Sequence, residues 1–240
     1  MIDGAVVAIV PALDEEDCIA EVVRGIAPHV DHVVVVDNGS RDATARVARE
    51  AGADVVAEPG RGYGRACLAG LARARAMGAS VVLFLDGDGS DDPADAPGLV
   101  APVRSGEVDI ALGVRATIEP GSMTPVQRFG NWLAPALMRV TLGARYSDMP
   151  PFKACALTAL DRLELSDTGH GFTIEMMVKA HARRLRVVER PVRCRARRGG
   201  ASKVSGTVWG ASRAATKIIS TIGRHAVRAR VARALDRNES

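Results

Sequence analysis

Short apolar runs recur along the first 112 residues, each closed by turn-forming or acidic residues and followed by a helix-forming stretch. The pattern predicts strands at 5–10, 32–36, 54–57, 81–85 and 108–112. Helices are predicted over about 16–27, 42–51, 65–77 and 95–104. The run Val81 to Leu85 is apolar at every position, as in a strand buried on both faces. Strand–helix alternation of this kind implies an α/β fold: a mostly parallel central sheet with helices on both faces and right-handed crossovers.

The pattern beyond residue 115 is less regular. Prolines at 120 and 125 interrupt the chain, and 126–142 reads as an amphipathic helix around Trp132, kinked at Pro135. A proline-rich turn at 147–153 precedes helices at about 156–163 and 172–183, with a flexible Thr168-Gly169-His170-Gly171 between them. Two short strands, 186–188 and 192–194, flank Pro191. A basic, glycine-rich loop at 196–206 leads into a final basic helix from about 207 and a frayed tail.

The length of 240 residues suits one large domain or two small ones. With 47% hydrophobic but only 3% aromatic residues, packing falls to Ala, Val and Leu. Four distant cysteines, Cys18, Cys67, Cys155 and Cys194, include no C-x-x-C pair, and suggest reduced thiols in a cytosolic protein. Neither a signal peptide nor an 18-residue apolar span is expected. The net charge of +4 conceals an asymmetry: residues 183–233 hold 15 Lys/Arg against one acid, Glu189, whereas 1–182 are net acidic. Such a basic block suits an anionic partner such as phosphate, nucleic acid or an acidic membrane; a merely solvated basic face is the alternative.

The candidate chemistry begins at Asp86-Gly87-Asp88, directly after the 81–85 run. Two carboxylates at a strand's carboxyl end would lie where open α/β sheets bind ligands. Mg²⁺ is commonly held by one or two carboxylates plus substrate phosphates. The same residues also make an ordinary polar turn.

Taken in order, Pro11-Ala12-Leu13-Asp14-Glu15, Asp37-Asn38-Gly39-Ser40 with Asp42 and Thr44, the glycine-rich stretch from Gly60 to Gly70, and Asp86-Gly87-Asp88 resemble the family 2 glycosyltransferases. Phe172-Thr173-Ile174-Glu175, Glu189-Arg190-Pro191-Val192 and Gly200-Ala201-Ser202-Lys203 look like the dolichol-phosphate mannosyltransferase, or polyprenyl-phosphate glycosyltransferase, branch. The resemblance implies a single GT-A domain over 1–220, with a nucleotide-sugar half (1–115), an acceptor half (116–220) and a basic tail (221–240). It also implies Mg²⁺ or Mn²⁺, a nucleotide-sugar donor of GDP-mannose or UDP-glucose type, and a polyprenyl-phosphate acceptor. An inverting enzyme is expected, cytoplasmic or peripheral on the inner face of an anionic membrane, with no nucleic-acid partner.

Residue by residue, the resemblance gives Pro11, Leu13, Glu15, Asp37 and Gly39 to the nucleoside side. Gly60, Arg61 and Gly62 fall before a helix whose free N–H groups would suit phosphate. Asp86 and Asp88 match metal ligands, with Ser90 where relatives often carry Gln. Arg115 matches a position that meets phosphate. Ser202 and Lys203, with Arg197 and Arg198, form a natural phosphate clamp. Glu175 is a candidate base or an orienting group. A phosphate acceptor is already ionised near neutral pH and needs no strong base. A soluble hydroxyl acceptor is the alternative, and would promote Glu175 or Asp148 to the base.

Overall fold

A computed structural model describes residues 2–196 and, beyond them, Gly223. Seven strands, β1 (Ala5–Ala12), β2 (His32–Asp37), β3 (Asp54–Ala57), β4 (Ala79–Phe84), β5 (Ile110–Ile118), β6 (Lys153–Ala156) and β7 (Val187–Cys194), make one sheet. Their spatial order is β3-β2-β1-β4-β6-β5-β7. Helices α1 (Ile19–Ile26), α2 (Thr44–Glu50), α3 (Tyr63–Ala76), α4 (Ala96–Arg104), α5 (Pro125–Leu142), α6 (Leu157–Leu163) and α7 (Phe172–Ala182) connect them. The sheet takes strands from both halves of the chain.

The core follows from the valine-rich strands. Val7 to Val10, Val34 to Val36 and Val81 to Phe84 are fully inaccessible, as strands covered on both faces should be. Helix α3 lies so close to the sheet that a Cβ at Gly70 would meet Ile9 Cγ2 at 2.4 Å. Only glycine permits that approach.

Two expectations change. Residues 153–156, read as the end of a turn and the start of a helix, form β6. This strand runs antiparallel between β4 and β5, pairing Leu83 and Ala111 with Ala154 from its two sides. Being four residues long, it shows no readable period. The two short strands around Pro191 are one, β7, on the sheet's edge and parallel to β5, with Pro191 opposite Val114. An edge tolerates a residue that cannot donate to the ladder. As expected, 126–142 is helical: α5 runs from a Thr124/Gln127 capping box to a left-handed Gly143, with Pro135 inside it.

All strands but β6 run the same way, so their carboxyl ends share one edge of the sheet. Chain direction across the sheet reverses between β1 and β4, the topological switch point where such sheets bind ligands. Residues 11–13 and 85–88 meet there.

Candidate active site

The carboxylate turn lies at the switch point. Leu85 is buried, Asp86 is half-buried and Asp88 is only 5% exposed. A Cβ on Gly87 would meet Pro11 O at 3.2 Å and the Ala12 side chain at 3.3 Å, so a small residue lets the turn pack on the end of β1. The Asp86 N–H donates to Asp91 Oδ2 (3.0 Å), and the Ser90 N–H donates to Asp88 Oδ1 (2.9 Å). Burial pushes the Asp91 carboxyl well above its usual range, and the charges of Asp86 and Asp88 push the same way. Asp86 and Asp88 are the two acidic side chains of this turn whose oxygens suit a cation, whereas Asp91 is held towards its neutral form. Among the described residues no group of three or more His, Cys, Asp or Glu is arranged to hold a metal ion. Asp86 and Asp88 would offer a hard divalent cation two carboxylates, the donor type such ions take.

The neighbouring loops are fastened to one another. Asp14, at φ 51°, donates its N–H to Ser40 Oγ (3.0 Å) and accepts from the Arg41 N–H (2.7 Å). The Glu15 N–H donates to Thr44 Oγ1 (2.8 Å), and the Ala43 N–H donates to Glu16 (2.8 Å). The helix expected from residue 16 starts only at Ile19 because these residues form that junction. Pro11 ends within β1, Leu13 is half-buried and Glu15 is buried at the same edge. Asp37, at the tip of β2, accepts the Ser40 N–H on one oxygen (3.1 Å) across a turn that needs Gly39 at φ 80°. The other carboxylate oxygen leaves capacity for a ligand.

Asn38 was not singled out from the sequence, yet it anchors the glycine loop. Its amide donates to Glu58 O (3.1 Å) and Gly60 O (2.7 Å), and its oxygen accepts the Gly62 N–H (2.8 Å). Three of the N–H groups expected to be free are engaged: Gly60 N donates to Glu58 Oε1, Gly64 N to Gly169 O and Arg65 N to Thr168 O. A Cβ on Gly64 would lie 2.0 Å from Asp167 O. The loop's glycines thus accommodate the 167–169 segment, and the phosphate cradle read from the sequence is not what these amides form. Arg61 remains exposed beside them.

Arg115 and Asp148 are paired with each other. Their ion pair is two-pronged, Nε to Oδ2 at 2.8 Å and Nη2 to Oδ1 at 2.6 Å, with side chains 13% and 11% exposed. Burial alone would raise the Asp148 carboxyl, but hydrogen bonds and charge from Arg115 bring it below the usual range. Asp148 is held ionised by Arg115, and the pair engages Nε and Nη2 of Arg115 without using Nη1. Glu175 is similarly occupied. It pairs with Lys179 (2.7 Å) and accepts the N–H groups of Ser166 (3.0 Å) and Asp167 (2.7 Å). Burial opposes ionisation there, yet Lys179 and the two amides hold the Glu175 pKa down. Glu175 thus fastens Ser166 and Asp167, and the stretch expected to be flexible is held at its start by bonds from the Arg65 N–H to Thr168 O, the Gly64 N–H to Gly169 O and the Gly169 N–H to Asp167 Oδ1. His170 is exposed in that stretch.

Beneath the turn lies a buried group that the sequence reading missed. Lys153 is inaccessible, its ammonium donating to Pro150 O (3.3 Å), Pro151 O (3.1 Å) and Thr173 Oγ1 (3.2 Å), over the Phe84 ring. Burial pulls its pKa down. Phe84 and Tyr63 each meet Phe172 edge-on, which joins α3, α7 and β4 under the site. Arg197, Arg198, Ser202 and Lys203 lie outside the described residues.

Comparisons with known proteins agree with this geometry. The profile of glycosyl transferase family 2 matches residues 7–153. An uncharacterized glycosyltransferase of Mycobacterium tuberculosis is 37% identical over 210 residues, 88% of this chain and 94% of the relative. The undecaprenyl-phosphate mannosyltransferase of Micrococcus luteus is 30% identical over 200 residues, covering 78% and 81%. Among solved structures, glucosyl-3-phosphoglycerate synthase from Mycobacterium tuberculosis superposes with a TM-score of 0.72 and 26% identity. The match covers 92% of this chain and 80% of that one, in a complex with Mn²⁺, UDP and glucosyl-3-phosphoglycerate.

Proposed function

Because the chain belongs to glycosyl transferase family 2 and is a glycosyltransferase of GT-A fold, we propose that it transfers a hexosyl group from a nucleotide-diphosphate sugar to a polyprenyl phosphate, inverting the anomeric carbon. Asp86 and Asp88, with the Ser90 hydroxyl, would hold Mg²⁺ or Mn²⁺. When bound, that cation offsets the charge that grows on the departing diphosphate. Pro11, Leu13, Glu15 and Asp37 line the nucleoside side, where the spare oxygen of Asp37 accepts from the base. Arg197, Arg198, Ser202 and Lys203 seat the acceptor anion, and orientation contributes as much there as charge.

One observation carries the choice of acceptor. Both candidate bases, Glu175 and Asp148, are ion-paired with lowered pKa values. An inverting attack by a hydroxyl needs a base within reach. A phosphate monoester is already anionic near neutral pH and attacks unaided. The likeness to the undecaprenyl-phosphate mannosyltransferase supports the same acceptor class. The likeness to glucosyl-3-phosphoglycerate synthase favours a second reading, a small phosphorylated acceptor.

The deciding assay incubates purified protein, Mn²⁺ and either GDP-mannose or UDP-glucose with undecaprenyl phosphate or with 3-phosphoglycerate. Formation of a lipid-linked sugar with the first acceptor is expected. Product from 3-phosphoglycerate alone would replace the first reading with the second.

Access to a lipid acceptor requires a surface that meets the bilayer. No described helix is long and apolar enough to cross a membrane. Helix α5, however, carries Phe129 and Trp132 more than half exposed and Val140 84% exposed, flanked by exposed Arg128 and Arg139 and by no acid within the helix. This face is proposed to rest on anionic lipid.

A further inference from the structure

The carboxylate turn and the root of the basic loop are fastened to each other. After Asp88 the chain continues through Ser90-Asp91-Asp92 into a single 3-10 turn, Pro93–Asp95, and the end of β7 lies along it. The Arg195 N–H donates to Ser90 O (2.8 Å), Cys194 bridges Asp91, and the Arg193 N–H donates to Asp95 Oδ2 (2.8 Å). Side chains reinforce these bonds. Arg195 Nη2 lies 2.6 Å and Arg193 Nη1 2.9 Å from the same Asp92 oxygen, and Arg193 also pairs with Asp95 at 2.8 Å. On the far side the Glu119 N–H donates to Cys194 O (3.0 Å), and Glu119 accepts the Ala196 N–H (2.8 Å). Residues 194–196 are therefore held between the carboxylate turn and the exit of β5.

We propose that Arg195 and Asp92 form a positioning pair that fixes where the basic segment 197–203 starts relative to Asp86 and Asp88, coupling acceptor seating to the carboxylate turn. Arg197 is two residues from Arg195, and Asp92 is four residues from Asp88, so each partner is one short step from the group it places. Exposed ion pairs contribute little, but the Asp92 side chain is only 2% exposed. Losing one partner leaves a buried charge short of compensation. Towards α1, the turn borders a cleft of about 220 Å³ whose lining includes Cys18, Val22, Pro93 and Arg195. On that side Pro93 also meets α1, where a Cβ on Gly25 would lie 3.0 Å from Pro93 Cγ, and the bonds to β7 add a second restraint. The donor side is braced separately, through Asp14, Ser40 and Thr44. Loss of the pair should therefore be felt more by the acceptor than by the nucleoside side of the donor. This inference rests on the proposed function.

The test compares Arg195→Ala, Asp92→Asn and Arg195→Lys with the unaltered protein. Initial rates are measured with undecaprenyl phosphate, and donor hydrolysis is measured without acceptor. Arg195→Ala and Asp92→Asn should each raise the acceptor KM about tenfold, equivalent to ~1.4 kcal/mol. The donor KM should rise several-fold less than the acceptor KM, and Arg195→Lys should recover most of the loss. An unchanged acceptor KM, or equal rises in both KM values, overturns the proposal. A second readout is independent of turnover. In Asp92→Asn, amide hydrogen exchange should quicken together in 90–95 and 193–196, while the tips of β1 and β2 keep their protection. If either segment is unaffected, the coupling is refuted. An unaltered protein that neither hydrolyses donor nor transfers sugar counts against the proposed function, and hydrogen exchange then judges the pair alone.

Discussion

Asp88 lies buried in the turn after β4, and one of its oxygens accepts the Ser90 N–H. Asp88→Asn keeps the shape and the acceptor but removes the charge a cation requires. Transfer should fall by about two orders of magnitude or more, since charge stabilisation of this kind is worth several kcal/mol. The melting temperature should move little. Wild-type turnover in the variant would remove Asp88 from the metal site. Arg115 makes the opposite prediction. Its loss should cost stability, because Asp148 would be left buried without its partner. Arg115→Met is expected to lower the unfolding free energy by about 3–5 kcal/mol, and adding Asp148→Asn should recover part of that. Urea denaturation of the two single variants and the double variant checks it. The sequence displayed Asp86 and Asp88 because a carboxylate pair ending an apolar run is a local signal. It could not display the Arg115–Asp148 pair, whose members are 33 positions apart and meet only through the sheet. Asn38 was visible within its motif, but its amide's role depends on Gly60 and Gly62 returning to it.

Helices and strands with a sustained period were legible, and β2, β3 and β4 lie within two residues of where the pattern put them. What escaped was β6, whose direction is set by pairing with strands far away in the chain. The junction of α3 and α7 escaped for a similar reason. A glycine-rich stretch before a helix reads as a phosphate loop, whereas here its N–H groups meet the carbonyls of Thr168 and Gly169. Two outcomes follow. Gly64→Ala would place a Cβ against Asp167 O and should destabilise the fold by about 1–3 kcal/mol, read from thermal melts. Glu175 is the acid-sensitive part of the same junction. Its folded pKa lies below the ordinary 4.5, so its contribution is complete above that value and is lost as pH falls through the lowered one. Glu175→Gln should therefore flatten the acid limb of the stability curve below about pH 4.5 and leave the neutral-pH dependence unchanged. An unaltered acid limb would show that the carboxylate does not fasten the junction.

At the scale of the molecule, the charge asymmetry acquires a direction. The acidic turn lies at the carboxyl edge of the sheet, and β7 delivers the chain to that same edge immediately before Arg197 and Arg198. A lipid-borne phosphate must reach this edge while its hydrocarbon stays in a bilayer. Ala196 leaves beside Glu119, five residues before α5 begins its cap, so the exposed Phe129 and Trp132 lie on the element that follows directly from the basic segment's root. Aromatic side chains suit the interface between headgroups and tails, and each nearby Lys or Arg adds about 1 kcal/mol of attraction to anionic lipid. Removing apolar and charged parts should accordingly have different signatures. Phe129→Ser with Trp132→Ser should weaken co-sedimentation with phosphatidylglycerol vesicles at every salt concentration. Arg128→Gln with Arg139→Gln should weaken it at low salt and converge on the unaltered protein as screening shortens the reach of charge. Transfer to undecaprenyl phosphate in vesicles should fall with binding in both variants, while donor hydrolysis in solution stays level. Binding that ignores lipid charge and both pairs of substitutions would show that α5 faces something other than a membrane.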